Sequence, residues 1–244
     1  MVAAAFNLTA SSDAADLQKP LTALVFHYDA FISDDGGSPC EAAFLASLGG
    51  IRARVLCSPS NLSTIRDTYA RLNIDIEPLQ IDSKDLNTKR MLDLMAVNQD
   101  DATAPLYIYV IHRILREMRI AQQVSGERFS YTKFKSLLLS SDLTPTQLAP
   151  LSQRLSVLES FMPLAAPKRK GKGLKAPPGT NWASEPGLLT IVDLSCPCIT
   201  PVTACSLFNV CLSIFLEQEI NCGRVVALDE AHKLSDYSGT SGSE

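Results

Sequence analysis

The chain has 244 residues, of which 46% are hydrophobic, and this supplies enough apolar material for a large buried core. Such a composition excludes intrinsic disorder as a description of the whole chain. The 22 basic and 26 acidic residues give a formal net charge of −4. This balance excludes nucleic-acid binding through overall positive charge, so any such binding must be local.

The sequence carries seven cysteines, and neither a signal peptide nor a transit peptide is recognisable at its start. Secreted chains normally show a signal peptide and paired cysteines, so we expect an intracellular protein, cytoplasmic or nuclear. Residues 1–19 are rich in Ala, Ser, Thr and Asp and are expected to form a flexible N-terminus. No apolar stretch is long enough to span a bilayer without polar interruption, so no membrane partner is expected.

Residues 20–81 are predicted to form the N-terminal β-α-β part of an α/β core. Short apolar or alternating runs indicate strands, and good helix formers lie between them. This alternation is typical of an open, largely parallel sheet. The predicted strands cover residues 21–26, 51–57 and 74–81, and the predicted helices cover residues 41–48 and about 60–72.

Residues 82–163 are predicted to be a helical section, because apolar residues recur there at helical spacing and β-branched runs are scarce. We expect Pro145 and Pro150 to mark breaks between helices. One apolar stripe of this section comprises Ile108, Ile111, Leu115 and Met118.

Residues 164–186 are rich in proline and glycine and are predicted to be a linker or a long surface loop. This linker contains a basic cluster, which consists of Lys168, Arg169, Lys170, Lys172 and Lys175. A solvated loop is one interpretation of the cluster. A contact with nucleic-acid phosphates and a nuclear-import signal are the functional alternatives.

Residues 187–244 are predicted to form a second β-α-β unit. The apolar run over residues 188–192 predicts a buried strand, and Thr200 with Pro201 predicts the start of a deeply packed helix. The run over residues 225–228 predicts a second buried strand. The predicted fold class is therefore α/β, a mostly parallel open sheet with an inserted helical section.

Acidic residues follow both strands of this unit. In open α/β sheets ligands bind at the carboxyl ends of the strands, which is where Asp229 and Glu230 are expected. An apolar strand that ends in Asp-Glu is the Walker B arrangement: the Asp holds Mg²⁺, usually through water, and the Glu polarises the attacking water. Alternatively, Asp229 caps a turn and Glu230 is solvated. Asp193 is expected to end the neighbouring strand, either near the metal or as a strand-to-loop cap.

The segment GTNWASEPGLLTIVDLSCPCITPVTACSLFNVCLSIFLEQEINCGRVVALDEAHK, residues 179–233, resembles the Walker B half of HerA/FtsK-like P-loop ATPases. The resemblance is to the uncharacterised P-loop NTPase-like proteins of fungal genomes, and it extends back to about Leu21. It implies a sheet of P-loop NTPase type. It also implies that Asp229 is the magnesium-site acid, Glu230 the catalytic base and His232 the coupling position of the DEAH string.

Two departures from this family affect the function that we expect. The phosphate-binding motif GxxxxGK[ST] does not occur: the Gly171-Lys172 pair is followed by Gly173 and has Ala166 at the first glycine position. The sequence also ends at Glu244, soon after the Walker B strand, so we expect a truncated unit without the later sensor motifs.

We therefore expect an incomplete P-loop NTPase with little ATPase activity of its own. Mg²⁺ and ATP are its expected cofactors only if the missing Walker A motif is supplied. In intact relatives ATP hydrolysis would move nucleic acid or remodel a partner, and nucleic acid and a second copy of the chain are the candidate partners. The alternative is a non-catalytic interaction module on a degenerate NTPase core. A DEAH-type helicase remnant is disfavoured because the helicase Ser-Ala-Thr motif is not seen.

The cysteines and histidines show weaker patterns. Cys196 and Cys198 have a CxC spacing without a second pair, so buried or half-buried thiols are expected rather than a zinc knuckle. His27 and His112 have no partner that the sequence reveals. A hydrolase with a Cys–His pair stays open, although no spacing argues for it.

Overall fold

The computed structural model describes residues 20–33, 35–48, 50–95, 106–163 and 179–229. They divide into two compact units. The sheet unit comprises the described residues up to Leu79 and from Asn181, and the helical unit comprises those between Gln80 and Thr180.

The sheet unit contains five strands and two α-helices within the described residues. The elements in chain order are β1 (Thr22–His27), β2 (Arg52–Cys57), α1 (Leu62–Thr68), β3 (Asp75–Pro78), β4 (Leu188–Asp193), α6 (Pro201–Glu217) and β5 (Arg224–Leu228). Residues Glu41–Ser47, where we predicted a helix, form a 3₁₀ helix.

All five strands are parallel, in the order β3-β2-β4-β1-β5. This confirms the predicted α/β fold class with an open parallel sheet. β1 is buried along its whole length and β4 along nearly all of it, as continuous apolar strands covered on both faces should be.

The strand order corrects the expectation that Asp193 ends the strand beside Asp229. β1 lies between β4 and β5, with His27 opposite Asp193 and Phe26 opposite Leu228. The crossover from β4 through α6 to β5 therefore passes over one strand. Neighbouring strands lie about 4.8 Å apart, so the ends of β4 and β5 are separated by about 10 Å.

β5 is less buried than predicted. Among the described strands it lies at the edge of the sheet and pairs with β1 alone, and its outward residues Val226 and Leu228 are 43% and 46% exposed. A strand at the edge of a sheet lacks the cover that a second neighbouring strand supplies. The apolar sequence of β5 does not reveal that this strand lies at the edge.

The helix α6 begins as the sequence predicts. Pro201 is its first residue, and the Thr200 hydroxyl accepts a hydrogen bond from the Thr203 amide at 3.3 Å. This cap satisfies one of the amides that have no partner within the helix. Phe208 of α6 packs on Phe26 of β1 with 4.7 Å between ring centroids, so the helix covers β1.

The helical unit contains four α-helices within the described residues: α2 (Thr88–Leu94), α3 (Leu106–Ser125), α4 (Tyr131–Leu139) and α5 (Pro145–Ser160). Pro145 is the first residue of α5, which is a position that proline tolerates. The expectation for Pro150 was wrong, because it lies inside α5. Its side chain is exposed, and α5 loses one amide hydrogen bond there but continues to Ser160.

Candidate functional site

The carboxyl ends of three adjacent strands bring polar side chains to one edge of the sheet. β1 ends at His27, β4 ends at Asp193, and Asp229 directly follows β5. The amide of Asp229 continues the ladder by donating to the Phe26 carbonyl at 2.8 Å. His27 therefore lies between the two acids. This arrangement follows from the parallel register of the three strands.

Asp193 is a buried structural acid. Its side chain is 1% exposed and accepts hydrogen bonds from the Tyr69 hydroxyl at 2.7 Å and from the Ser195 amide at 2.9 Å. The second bond is the strand-to-loop cap that the sequence offered as one of two interpretations. Because both carboxylate oxygens are engaged inside the core, Asp193 is oriented for structure rather than for a ligand.

A hydrogen-bond network extends from Asp193 into the loops that surround the edge. The Tyr69 hydroxyl accepts from the Cys40 amide at 2.9 Å, and the Ser195 hydroxyl accepts from the Asp29 amide at 2.8 Å. The Asn61 side chain donates to the Ser195 carbonyl at 2.8 Å. These bonds connect the loops after β1, β2 and β4. The bond from the Cys40 amide to Tyr69 also fixes the position of Cys40.

Asp229 occupies a different environment from Asp193. Its side chain is 25% exposed, and its Oδ2 lies 3.1 Å from Nδ1 of the buried His27. The Sγ atom of the fully buried Cys40 lies within 4.8 Å of the carboxylate. The carboxylate is therefore paired with one buried group, lies near a second, and is still partly exposed to solvent.

Burial keeps the thiols around this edge protonated. It raises the pKa of Cys40 above that of an ordinary thiol, and the nearby Asp229 adds to the shift. It also raises the pKa of Cys57, at the end of β2, to about 12. The pKa of Tyr69 is raised by burial and by the neighbouring Asp193. None of these groups is a ready nucleophile at neutral pH.

Of the predicted site residues, Asp229 is described and lies at the expected edge. Glu230 and His232 lie outside the described residues, and so does the basic cluster that begins at Lys168. Of the two CxC thiols, Cys196 is buried as expected, whereas Cys198 is exposed.

The sequence reasoning missed His27 and Cys40 as partners of Asp229. They lie about two hundred residues from it in the chain; the pairing of β1 with β5 brings His27 close, and the loop after β1 brings Cys40 close. The available signal was a histidine at the end of an apolar strand, which becomes informative once the strand order is known.

The helical unit contains a separate cavity of about 680 Å³. Four basic side chains line it: Lys84, Lys89, Arg119 and Arg128. Two of them are compensated, because Lys84 lies 3.5 Å from Asp82 and Lys89 lies 3.3 Å from Asp93. The acidic Glu127 and the apolar Leu86, Leu92 and Phe129 also line the cavity. The sequence analysis assigned no role to it.

Comparison of the chain with protein-family models, with curated proteins and with solved structures finds no match. Among the described helices, none combines the length and the apolarity that are needed to cross a bilayer.

Proposed function

We propose that this chain forms the Walker B part of a P-loop NTPase, in which Asp229 binds the Mg²⁺ of a bound ATP. The observation that carries the proposal is the position of Asp229. It leaves β5 at the carboxyl edge of an all-parallel sheet, next to the end of β1, and this edge is where open α/β sheets bind their ligands.

The surroundings of Asp229 fit this role in two respects. The carboxylate is partly exposed, so a hydrated Mg²⁺ can reach it, and magnesium in nucleotide sites keeps several of its waters. Glu230 follows directly in the sequence, as the acid that polarises the attacking water does in a Walker B pair. ATP supplies the phosphoryl group, and this chain contributes the acids that orient metal and water.

The sequence has no recognisable motif that would bind the phosphates of ATP. No GxxxxGK[ST] occurs in the 244 residues, so neither a backbone nest nor a motif lysine is available to neutralise the triphosphate. We therefore expect weak nucleotide binding and little ATP hydrolysis from this chain alone.

Equilibrium binding of a fluorescent ATP analogue, with and without Mg²⁺, tests the proposal on the full chain. We expect binding that requires Mg²⁺ and that Asp229→Ala weakens by at least about tenfold, equivalent to about 1.4 kcal/mol. Asp75→Ala is the matched control, because Asp75 is an exposed acid at the start of β3 and so at the opposite edge. Equal affinities for the two variants would refute the assignment of Asp229.

A non-catalytic interaction module is the second candidate function, and one observation favours it. The Asp229 carboxylate is already paired with the buried His27, which is how a former magnesium acid would be retained as a structural group. In that case nucleotide does not bind at any accessible concentration, and Asp229→Ala lowers stability instead.

The proposed partners follow from the basic cluster and from the family resemblance. Neutralising the five basic residues that begin at Lys168 is expected to abolish binding to a single-stranded oligonucleotide and to flatten its dependence on salt concentration. Sedimentation of the full chain tests the proposed self-association. An unchanged salt dependence would remove the cluster from the interface.

A further inference from the structure

Three side chains of different chemistry meet at the carboxyl edge of the sheet. His27, Cys40 and Asp229 each present one potential ligand atom, and these atoms all lie within 4.8 Å of one another. His27 ends β1, Cys40 precedes the 3₁₀ helix, and Asp229 follows β5. Three separate segments of the chain thus converge on one point.

The distances are close to those of a tetrahedral metal centre. With bonds of about 2.0–2.3 Å to nitrogen, oxygen and sulfur, the ligand atoms of a zinc site lie about 3.3–3.7 Å apart. The His27 and Asp229 atoms are already 3.1 Å apart. The remaining distances are at most 4.8 Å, so closing them requires side-chain shifts of about 1.5 Å or less.

The cluster also lacks a fixed positive charge. Within the part of the chain that the structure describes, no Lys or Arg pairs with Asp229, whose single ion-pair partner there is Nδ1 of His27. A largely buried acid that no fixed cation neutralises favours a bound cation.

We propose that His27, Cys40 and Asp229 form a binding site for Zn²⁺, with water as the fourth ligand. One nitrogen, one sulfur and one oxygen suit a borderline-soft ion better than Mg²⁺, which prefers oxygen ligands alone. Three protein ligands and a water are the usual set where a zinc site is open, and the exposed side of Asp229 gives the water access.

Binding involves a proton balance that the site can accommodate. The Cys40 thiol gives its proton to solvent as the Zn–S bond forms, so one proton is released for each ion bound through sulfur. The ion replaces the contact between His27 and Asp229 that is present in the metal-free state. This inference stands on the geometry of the three side chains and does not require the proposed NTPase function.

Cobalt provides the direct test, because Co²⁺ occupies zinc sites and reports its ligands by absorption. The full chain is stripped with a chelator and titrated with Co²⁺ and then with Zn²⁺. We expect one ion per chain, a near-ultraviolet thiolate-to-metal band, intense visible bands of a tetrahedral centre, and loss of all of them when Zn²⁺ displaces Co²⁺.

Variants identify the ligands. Cys40→Ser is expected to abolish the thiolate band and to weaken Zn²⁺ binding at least about a hundredfold, whereas Cys198→Ser, which removes an exposed thiol, should change neither. Asp229→Asn tests the site without altering a fully buried residue and is expected to weaken binding while the thiolate band persists at higher Co²⁺ concentration. Circular dichroism confirms that each variant is folded.

The outcomes separate this proposal from the proposed function. Absence of a thiolate band in the folded wild-type chain, or its persistence in Cys40→Ser, overturns the zinc site and leaves the nucleotide result untouched. Zinc binding without Mg²⁺-dependent nucleotide binding refutes the Walker B assignment alone. If both occur, they compete for Asp229, and Zn²⁺ should then release the ATP analogue from the wild type but not from Cys40→Ser.

Discussion

The hydrogen bond from Tyr69 to Asp193 should be a main determinant of the stability of the sheet unit. Both side chains are buried, and the donor and acceptor oxygens lie 2.7 Å apart. The substitution Tyr69→Phe removes one oxygen atom and keeps the ring. It leaves the Asp193 carboxylate with one bond fewer and the Cys40 amide without its acceptor.

The expected cost follows from these two losses. A hydrogen bond to a charged group contributes about 1.5–3 kcal/mol, and a buried donor that is left unpaired costs a further 1 kcal/mol or more. We therefore expect Tyr69→Phe to lower the free energy of unfolding by about 3–4 kcal/mol. Tyr28→Phe is the matched control, because its hydroxyl is also buried but donates to a neutral carbonyl, that of Ile199, at 2.8 Å. Its expected cost is about 1 kcal/mol.

Denaturant unfolding followed by tryptophan fluorescence measures the free energy of unfolding of the sheet unit in both variants. Trp182 is the sole tryptophan of the chain and is buried within the sheet unit, so its emission follows the unfolding of that unit. Equal m-values are required for the comparison. A loss in Tyr69→Phe that is no larger than that in Tyr28→Phe would refute the argument that the charged acceptor dominates.

Three further substitutions test separate features of the fold. Burial raises the pKa of Cys57 from 9.0 to about 12, so the folded state holds this proton more tightly than the unfolded state does. The free energy of unfolding should therefore fall as the pH rises from 9.0 to about 12, and it should fall less steeply in Cys57→Ala than in the wild type. Gly187 has φ +77°, so Gly187→Ala should cost about 1–2 kcal/mol by tryptophan-detected unfolding, and an unchanged midpoint would contradict this. Pro150→Ala restores an amide inside α5 and should stabilise the helical unit by about 2 kcal/mol, measured by far-ultraviolet circular dichroism; a lower midpoint would show that α5 needs the proline.

The strands and their parallel arrangement could be predicted because their signal is local. Most of the strands are short apolar or alternating runs between turn residues, and the cap of α6 is fixed by two adjacent residues, Thr200 and Pro201. The predictions were wrong where one local sequence pattern is compatible with more than one structure. The apolar run of β5 suits a central strand as well as an edge strand, and Pro150 occupies a helix whose other contacts outweigh one lost hydrogen bond.

The site was only partly predictable because its assembly depends on strand order. A β-α-β connection indicates that β4 and β5 belong to one sheet, but it does not determine whether another strand lies between them. The insertion of β1 separates Asp193 from Asp229 and puts His27 beside the latter. Asp229 was found from its motif, whereas His27 and Cys40 become visible only through contacts that no spacing in the sequence encodes.

The same insertion determines which chemistry Asp229 can perform. If β4 were its neighbour, two carboxylates would flank the edge and would offer an oxygen-only environment of the kind that magnesium prefers. With β1 there instead, Asp229 has an imidazole and a thiol within reach, and the second acid is buried against Tyr69. A preference of the wild type for Zn²⁺ over Mg²⁺, reversed in a variant that replaces Cys40 with serine, would show that strand order and not the Asp-Glu motif sets the metal specificity of this edge.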